Sequence, residues 1–211
     1  MEHVKEIVRK GYDALSTQYR AQFKSSHEND YPRWTDAFKA LLPAHGAVLE
    51  LGCGDGIPVA QLLAADYSYT GIDLSPVQAT NARKHVPHAT FIVSDMASLQ
   101  YPSGSFDGII ALYSIIHVPL NEQEQLFRSI FRWLKPGGCF LCTVGVEAWT
   151  GTEENWITRG TTMYWSHAAV EQYLTWAEAI GFTLIKKEHM AENETATHAL
   201  LLLQKAVTHQ E

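Results

Sequence analysis

The stretch that most constrains the fold is Ala47–Pro58, AVLELGCGDGIP. It predicts a short buried strand, then a loop containing Gly52, Gly54 and Gly56, then a helix that begins near Pro58. Proline is tolerated in a first helical turn because an N–H there has no intrahelical acceptor. Glycines let the loop turn tightly and leave no side chain between the backbone and a ligand. Such a strand–loop–helix unit is typical of an open α/β sheet that binds a nucleoside-containing ligand.

The charges of this loop indicate what kind of ligand it binds. The loop carries Glu50 and Asp55 but no Lys or Arg. A dinucleotide loop directs a helix N-terminus at a pyrophosphate, which requires positive potential. The spacing is also G-x-G-x-G, with Ile57 at the place where G-x-G-x-x-G has its third glycine. Both features favour a ligand with a cationic group over one with two phosphates.

The segment Glu50–Gly56 resembles the first motif of the class I S-adenosylmethionine-dependent methyltransferases, an acid followed by x-G-x-G-x-G. The resemblance covers about residues 45–145 and, more loosely, the rest of the chain. It implies an α/β fold with a Rossmann-like, seven-stranded, mostly parallel sheet and an antiparallel last strand. Helices would cover both faces of the sheet, with an N-terminal helical cap. The implied cofactor, S-adenosylmethionine, is a sulfonium nucleoside without phosphate.

Two further acids stand at predicted strand ends. Asp73 ends the second strand, where a carboxylate can accept both ribose hydroxyls of NAD or of adenosylmethionine. Ser75 and Pro76 then predict an N-cap and a first helical position. Asp95 ends the third strand, and the resemblance implies that its carboxylate accepts the adenine amino group. Met96 would then cover the ring, since a thioether packs well on an aromatic face.

The stretch SFDGIIALYSIIHV predicts the fourth strand and its exit. Ligands lie beyond the carboxyl ends of parallel strands, so Leu112 and Tyr113 should border the cofactor. The resemblance gives Tyr113 and His117 catalytic or substrate-facing roles, and it pairs His117 with a tyrosine of the N-terminal helix. That tyrosine is Tyr12 or Tyr19, which share a helix face and could equally serve packing. A base needs hydrogen-bond reach as well as a suitable pKa.

These inferences give a set of candidate site residues. The predicted catalytic residues are His117, Tyr113 and Tyr12. The predicted cofactor-binding residues are Tyr19, Glu50, Gly52, Cys53, Gly54, Asp73, Leu74, Asp95, Met96 and Leu112. No cluster of metal ligands is evident. Cys139 and Cys142 form a C-x-x-C spacing, but positions three apart in a strand face opposite sides, so we expect no metal or redox pair.

The chain after the fifth predicted strand is less regular. Residues 146–165 are rich in aromatic side chains, and we interpret them as a substrate-side loop. Its rings either fill space under the loop or wall a pocket for a small apolar or amine substrate, since rings also favour cations. Met163 and Arg159 are candidate lining residues. Ser166 predicts the cap of a helix that runs to Ile180 and ends at a glycine.

Length and composition set the domain organisation. The chain has 211 residues, of which 46% are hydrophobic and 18% charged, so one domain with a sizeable core is expected. We divide it into a helical cap (1–44), a cofactor-binding core (45–145), the substrate-side loop (146–165), and a helix with a C-terminal hairpin (166–211).

Charge and targeting features restrict the partners. The net charge of −7 argues against nucleic acid, because phosphate contacts require clustered Lys and Arg. No run approaches the roughly 18 apolar residues of a membrane span, and the N-terminus lacks a secretory apolar run. The three cysteines show no disulfide framework. We therefore expect a cytoplasmic protein whose partner is a small-molecule substrate.

The expected function is S-adenosylmethionine-dependent transfer of a methyl group to N or O of a small molecule, an activity of the EC 2.1.1 class. The chain lacks an N-P-P-Y-type motif after the fourth strand, which disfavours base or glutamine amide methylation. One alternative is a nicotinamide-dependent oxidoreductase, against which the acidic loop and Asp95 argue. The other is a protein that uses bound adenosylmethionine as a scaffold without methyl transfer.

Overall fold

The computed structural model describes residues 2–15, 18, 30–192 and 195–207. The helices bounded within these ranges are α1 (Glu2–Leu15), α2 (Asp30–Lys39), α3 (Val59–Leu63), α4 (Pro76–His85), α5 (Leu120–Trp133) and α6 (Val170–Ile180). The strands are β1 (Ala47–Leu51), β2 (Ser68–Asp73), β3 (Thr90–Val93), β4 (Phe106–Ala111), β5 (Leu134–Gly145), β6 (Trp149–Glu154), β7 (Thr162–His167), β8 (Phe182–Glu192) and β9 (Thr195–Lys205).

The main sheet has seven strands in the order β3-β2-β1-β4-β5-β9-β8. Strands β1 to β5 pair in parallel, whereas β9 is antiparallel to both β5 and β8. The predicted Rossmann-like sheet with an antiparallel last strand is therefore confirmed. The strand order reverses at β1, which pairs with β2 on one side and β4 on the other. A ligand crevice forms at such a switch point, beyond the carboxyl ends of the strands.

Apolar side chains bury both faces of this sheet. One buried cluster includes Phe127 and Trp133 of α5, and a second includes Trp34 and Phe38 of α2. The alternation of β5 divides its cysteines, because Cys142 belongs to the first cluster and Cys139 to the second. Helices therefore cover both faces, as predicted.

Of the two predicted serine caps, one is confirmed and the other is not. The Ser75 hydroxyl accepts the Gln78 N–H at 3.0 Å with proline at the first helical position, so this predicted cap is confirmed. The prediction that Ser166 caps a helix is wrong, because Ser166 lies in β7 and α6 begins at Val170. The buried Ser166 hydroxyl instead accepts the N–H of Leu120, the first residue of α5, at 3.0 Å.

The segment predicted as an irregular loop is largely a hairpin, so that prediction is wrong for its local structure. Strands β6 and β7 form a separate antiparallel sheet, with Trp149 opposite His167 and Gly151 opposite Trp165. The sequence of β6 hides this, since Gly and Glu are depleted in strands. Tertiary packing compensates, because α1 and β7 contribute to one buried cluster that contains Val8 and Met163.

The cap helix α1 ends at Leu15 in the described part of the chain, and the prediction that it extends to about residue 23 falls largely outside that part. Helix α2 begins at Asp30, two residues before the predicted Pro32. In the described ranges, no helix combines the length and hydropathy that crossing a bilayer requires.

A buried glutamine holds the exit of β4 against the hairpin. The Gln123 amide nitrogen donates to the carbonyl oxygens of Val118 at 2.7 Å and Ser166 at 2.6 Å, and its oxygen accepts the Tyr173 hydroxyl at 2.5 Å. Gln123→Leu should therefore lower the free energy of unfolding by about 2–4 kcal/mol, since it leaves several buried polar groups without hydrogen-bond partners. Urea denaturation measures this. Gln61→Leu, on the exposed face of α3, should change it by less than about 0.5 kcal/mol.

Candidate active site

A cavity of about 980 Å³ opens at the carboxyl ends of the parallel strands. Its walls come from the glycine loop, the ends of β2, β3 and β4, helix α1 and the β6–β7 hairpin. Every predicted site residue that the structure describes lines it: Tyr12, Glu50, Gly52, Cys53, Gly54, Asp73, Leu74, Asp95, Met96, Leu112, Tyr113 and His117. Tyr19 lies outside the described residues. One space therefore joins the predicted cofactor-binding and catalytic residues.

The glycine loop brings bare backbone to this cavity. Gly52 has φ +80°, and a Cβ added there would lie 2.3 Å from the Cβ of Ser114. Gly54 has φ +54°, and a Cβ added there would meet no atom of the described residues within 4 Å. The first glycine is thus required by close packing, and the second by its left-handed conformation. The open side of Gly54 lets a ligand approach the backbone directly.

The carboxylate of Asp73 fastens this loop to the end of β2. Its Oδ2 accepts the N–H of Gly54 and its Oδ1 accepts the N–H of Ser75, both at 2.8 Å. Burial raises the pKa of Asp73 to about 6, and these two hydrogen bonds oppose the rise. Each carboxylate oxygen can accept more than one hydrogen bond. The same group can therefore hold the loop and receive ligand hydroxyls.

The carboxylate of Asp95 is held by its own turn and by the cap helix. Its Oδ1 accepts the N–H of Ala97 at 2.9 Å, and its Oδ2 lies 2.6 Å from the Lys5 ammonium. Lys5 also pairs with Glu122 of α5. The sequence prediction missed Lys5, because the charge pattern of α1 alone does not show which acids it meets. The cap helix thus crosses the edge of the cavity where the adenine is expected.

The acid that precedes the glycine loop is buried. Glu50 is 4% exposed and accepts a hydrogen bond from the Tyr69 hydroxyl. Burial raises the pKa of Glu50 to about 8, with the hydrogen bond from Tyr69 opposing the rise. The sequence placed this acid at the cavity, but its burial and its tyrosine partner depend on the packing of β1 against β2.

A tyrosine–histidine pair joins the cap helix to the exit of β4. The Nδ1 of His117 lies 2.7 Å from the carbonyl oxygen of Tyr164, so Nδ1 carries the proton and donates it. Nε2 is therefore the acceptor, and the Tyr12 hydroxyl lies 2.8 Å from it as donor. Burial lowers the pKa of His117 to about 4, which keeps the ring neutral near pH 7. The sequence left Tyr12 and Tyr19 as alternative partners, and the structure pairs His117 with Tyr12.

Aromatic rings surround this pair on the hairpin side. The rings of His117 and Trp165 are 4.5 Å apart between centroids, and Trp156 lies edge-on to Trp165 at 5.5 Å. Trp156 also meets Tyr12 edge-on at 5.7 Å. Three tryptophans of the aromatic segment 146–165, Trp149, Trp156 and Trp165, line the cavity.

Tyr113 belongs to a second aromatic group in the cavity wall. It contacts His198 edge-on at 5.3 Å and Tyr31 at 6.5 Å between ring centroids. Its φ of +53° is uncommon for a residue with a side chain, and its N–H is held by the Thr143 hydroxyl at 2.5 Å. The structure therefore gives Tyr113 ring partners that differ from those of the Tyr12–His117 pair.

Two predicted lining residues do not line the cavity. Met163 is fully buried beneath α1, where a Cβ added to Gly11 would lie 2.7 Å from its Cε. Arg159 lies in the exposed turn between β6 and β7. Met163 shares the strand face of Trp165 but is covered by α1, and Arg159 lies beyond the strands, so neither reaches the cavity.

The charge lining the cavity is mainly acidic. Among the lining residues that the structure describes, the Lys and Arg side chains are Lys5 and Arg9. Each is already ion-paired, Lys5 with Asp95 and Glu122, and Arg9 with Glu6 and Asp13. The described residues also contain no group of three His, Cys, Asp or Glu side chains placed to hold a metal ion. This lining suits a ligand without phosphates.

Comparison with known proteins identifies the class. The methyltransferase domain family matches residues 48–138. The 2-methyl-6-phytyl-1,4-hydroquinone methyltransferase of Synechocystis sp. is 31% identical over 161 residues, 74% of this chain and 47% of that protein. The 27-O-demethylrifamycin SV methyltransferase of Amycolatopsis mediterranei is 32% identical over 150 residues, 61% of this chain and 54% of that protein. This chain spans about half the length of these relatives.

The fold is shared more widely than the sequence. The solved DhpI–SAH complex superposes with a TM-score of 0.77 at 18% identity, and the match covers 98% of each chain. The matches support a class I S-adenosylmethionine-dependent methyltransferase, with the domain of that family at residues 48–138. S-adenosylmethionine is the cofactor of this family.

The buried Glu50 predicts a pH dependence of stability. Because its folded-state pKa of about 8 is above that of an unfolded glutamate, the folded state binds more protons, and stability falls as pH rises. The raised pKa of Asp73 and the lowered pKa of His117 change the free energy of unfolding mainly below about pH 6.5. Between about pH 6.5 and 8, the cofactor-free protein should lose about 1–2 kcal/mol of stability.

Glu50→Gln is the matched control, since its amide oxygen can still accept the Tyr69 hydroxyl. Its stability should stay nearly flat over the same pH range, as measured by urea denaturation at each pH. If the stability of the wild-type protein is constant or increases across this range, the folded-state pKa of Glu50 is not raised, and the prediction is wrong.

Proposed function

We propose that this protein transfers a methyl group from S-adenosylmethionine to a nitrogen or oxygen atom of a small molecule. The observation that carries the proposal is the single cavity in which the glycine loop and two strand-end carboxylates meet the Tyr12–His117 pair. Bound S-adenosylmethionine would supply an electrophilic methyl group on its sulfonium. The relatives named as hydroquinone and rifamycin methyltransferases support a small-molecule substrate.

The residues present fit this cofactor. Asp73 would receive the ribose hydroxyls, since its carboxylate is already positioned by two backbone N–H groups. Asp95 and Met96 would hold the adenine, and the open backbone at Gly54 would admit the amino-acid tail. The absence of an unpaired Lys or Arg among the described lining residues supports a nucleoside without phosphate over a dinucleotide.

Tyr12 is the candidate group that contacts the methyl acceptor. Its hydroxyl donates to His117 Nε2, so its oxygen can accept a hydrogen bond from a substrate N–H or O–H. His117 orients that hydroxyl, and its lowered pKa makes it a weak base that favours alignment over strong proton abstraction. Alignment can itself contribute roughly 7–11 kcal/mol to such a reaction. We assign Tyr113 to the opposite part of the cavity wall, where it would orient the substrate.

The proposal also assigns a function to each region of the chain. Residues 1–44 would act as the cap, 45–145 as the cofactor-binding core, and the hairpin as the substrate side of one domain. We also place the protein in the cytoplasm. Its cysteines, Cys53, Cys139 and Cys142, are free and buried, which is consistent with a reducing compartment.

The ribose assignment predicts the effect of Asp73→Ala. Removal of charge-assisted hydrogen bonds should weaken S-adenosylhomocysteine binding roughly 10- to 100-fold in isothermal titration calorimetry. Asp66→Ala, at an exposed position outside the cavity, should leave the affinity unchanged. Equal affinities for the Asp73 variant and the wild-type protein would remove Asp73 from the cofactor site.

Thermal shift separates the proposed function from its alternatives. S-adenosylhomocysteine should raise the melting temperature and NAD(H) should not, whereas the reverse would indicate a nicotinamide-dependent oxidoreductase. If S-adenosylhomocysteine binds but no methyl group is transferred to any member of a panel of amines, phenols and carboxylates, the result favours a protein that uses the cofactor only as a scaffold.

The Tyr12–His117 assignment predicts a split between turnover and cofactor affinity. Tyr12→Phe and His117→Ala should each lower kcat/KM roughly 10²-fold, because the first removes the aligning hydroxyl and the second removes its acceptor. Both should leave the S-adenosylhomocysteine affinity within about twofold of wild type. Tyr67→Phe, outside the cavity, should change neither. Turnover unaffected by either substitution would make the pair structural.

A further inference from the structure

The β6–β7 hairpin presents one face to the cavity. Alternate residues of β6 share a face, so Trp149, Gly151 and Glu153 point the same way. Their register partners in β7 are His167, Trp165 and Met163. Except for Gly151 and the buried Met163, these residues line the cavity. The hairpin thus places two indole rings and a carboxylate on one surface.

This surface carries negative charge that no residue in the described ranges neutralises. Glu153 and the preceding Glu147 both line the cavity and are both exposed. Neither side chain forms a hydrogen bond or an ion pair with any residue in the described ranges. Lys5 and Arg9, which line the same cavity, are engaged by other carboxylates. A cationic ligand would meet carboxylates that have no competing partner among the described residues.

The rings on the same wall suit a cation equally well. Trp149 lines the cavity, is 47% exposed, and has the His167 ring 6.4 Å from its own between centroids. Trp165 stacks on His117 deeper in the cavity, and the low pKa of that histidine keeps it from adding positive charge. Indole faces attract ammonium groups, most strongly where the groups are partly desolvated.

We propose that the substrate is an organic cation, with an ammonium group and a compact apolar or aromatic body, and that Glu153 and the indoles of the hairpin recognise its charge. The inference rests on the proposed function, because it names the substrate class for that site. An anionic substrate would be repelled by the carboxylates of Glu147 and Glu153. Among the described lining residues, no unpaired Lys or Arg is available to bind it. The acidic net charge of −7 would further draw cations toward the cavity.

The test compares three probes of similar shape and different charge. Phenethylamine is a cation near pH 7, 2-phenylethanol is neutral, and 3-phenylpropionate is an anion. Binding to the full chain is measured by calorimetry, with and without saturating S-adenosylhomocysteine. We expect the amine to bind at least about tenfold more tightly than the alcohol, and the acid more weakly than either. A higher salt concentration should weaken the binding of the amine more than that of the alcohol, because salt screens the charge interaction.

The chain offers a matched pair of variants. Glu153→Gln should weaken phenethylamine binding roughly three- to fivefold, the range expected when a solvent-accessible charge partner is lost. It should leave 2-phenylethanol binding unchanged. Glu154→Gln removes the same charge from the next residue of β6, which lies on the opposite face outside the cavity, and should leave both affinities unchanged.

The outcomes separate the two proposals. If the alcohol or the acid binds as tightly as the amine, if the amine does not bind at millimolar concentration, or if both glutamine variants behave alike, the cation proposal is overturned. If S-adenosylhomocysteine does not bind, the proposed function fails. The order of probe affinities in the protein alone still decides whether the cavity selects cations. Retained S-adenosylhomocysteine affinity and melting temperature show that Glu153→Gln is folded.

Discussion

The hydrogen bonds that fasten the glycine loop to the end of β2 are the constraint on which the site depends. The carbonyl oxygen of Ile72 accepts the N–H groups of Gly52 and Cys53 at 2.7 and 2.9 Å, and Asp73 accepts that of Gly54 at 2.8 Å. The loop can therefore turn sharply while its backbone stays hydrogen-bonded. With the loop held in this way, the carboxyl ends of the parallel strands surround one crevice, as expected for a sheet whose strand order reverses at β1.

The half of the cavity that we propose to be catalytic depends on elements that are distant in sequence. His117 follows β4, its proton is directed by a carbonyl oxygen in β7, and its acceptor nitrogen is used by Tyr12 of the cap helix. Gln123 and Ser166 connect the same strand to α5. Consequently, the tautomer of the histidine is determined by the docking of the hairpin, and the orientation of the tyrosine by the docking of α1.

Electrostatics distinguish the two ends of the cavity. At the proposed cofactor end, Glu50 is buried and Asp73 half-buried close to the loop, and desolvation raises both pKa values. At the hairpin end, Glu147 and Glu153 are exposed and line the cavity together with Trp149 and Trp165. Near pH 7 Glu50 is mostly neutral, so the charge that would favour a sulfonium nucleoside and an organic cation over a dinucleotide comes from Asp73 and the hairpin carboxylates.

The sequence by itself indicated the individual strands, the glycine loop, the acids Asp73 and Asp95, and the cap at Ser75, because strands, turns and caps follow from local residue patterns. The arrangement of the seven-stranded sheet came from the resemblance to a known family. It did not determine the β6–β7 hairpin, whose strands have weak propensity and are stabilised by packing against α1. Only the tertiary structure chose Tyr12 as the partner of His117, brought Lys5 to Asp95, and turned Glu153 toward the cavity while burying Met163. Each of these depends on which surfaces meet across long separations in the chain, and neither spacing nor composition encodes that.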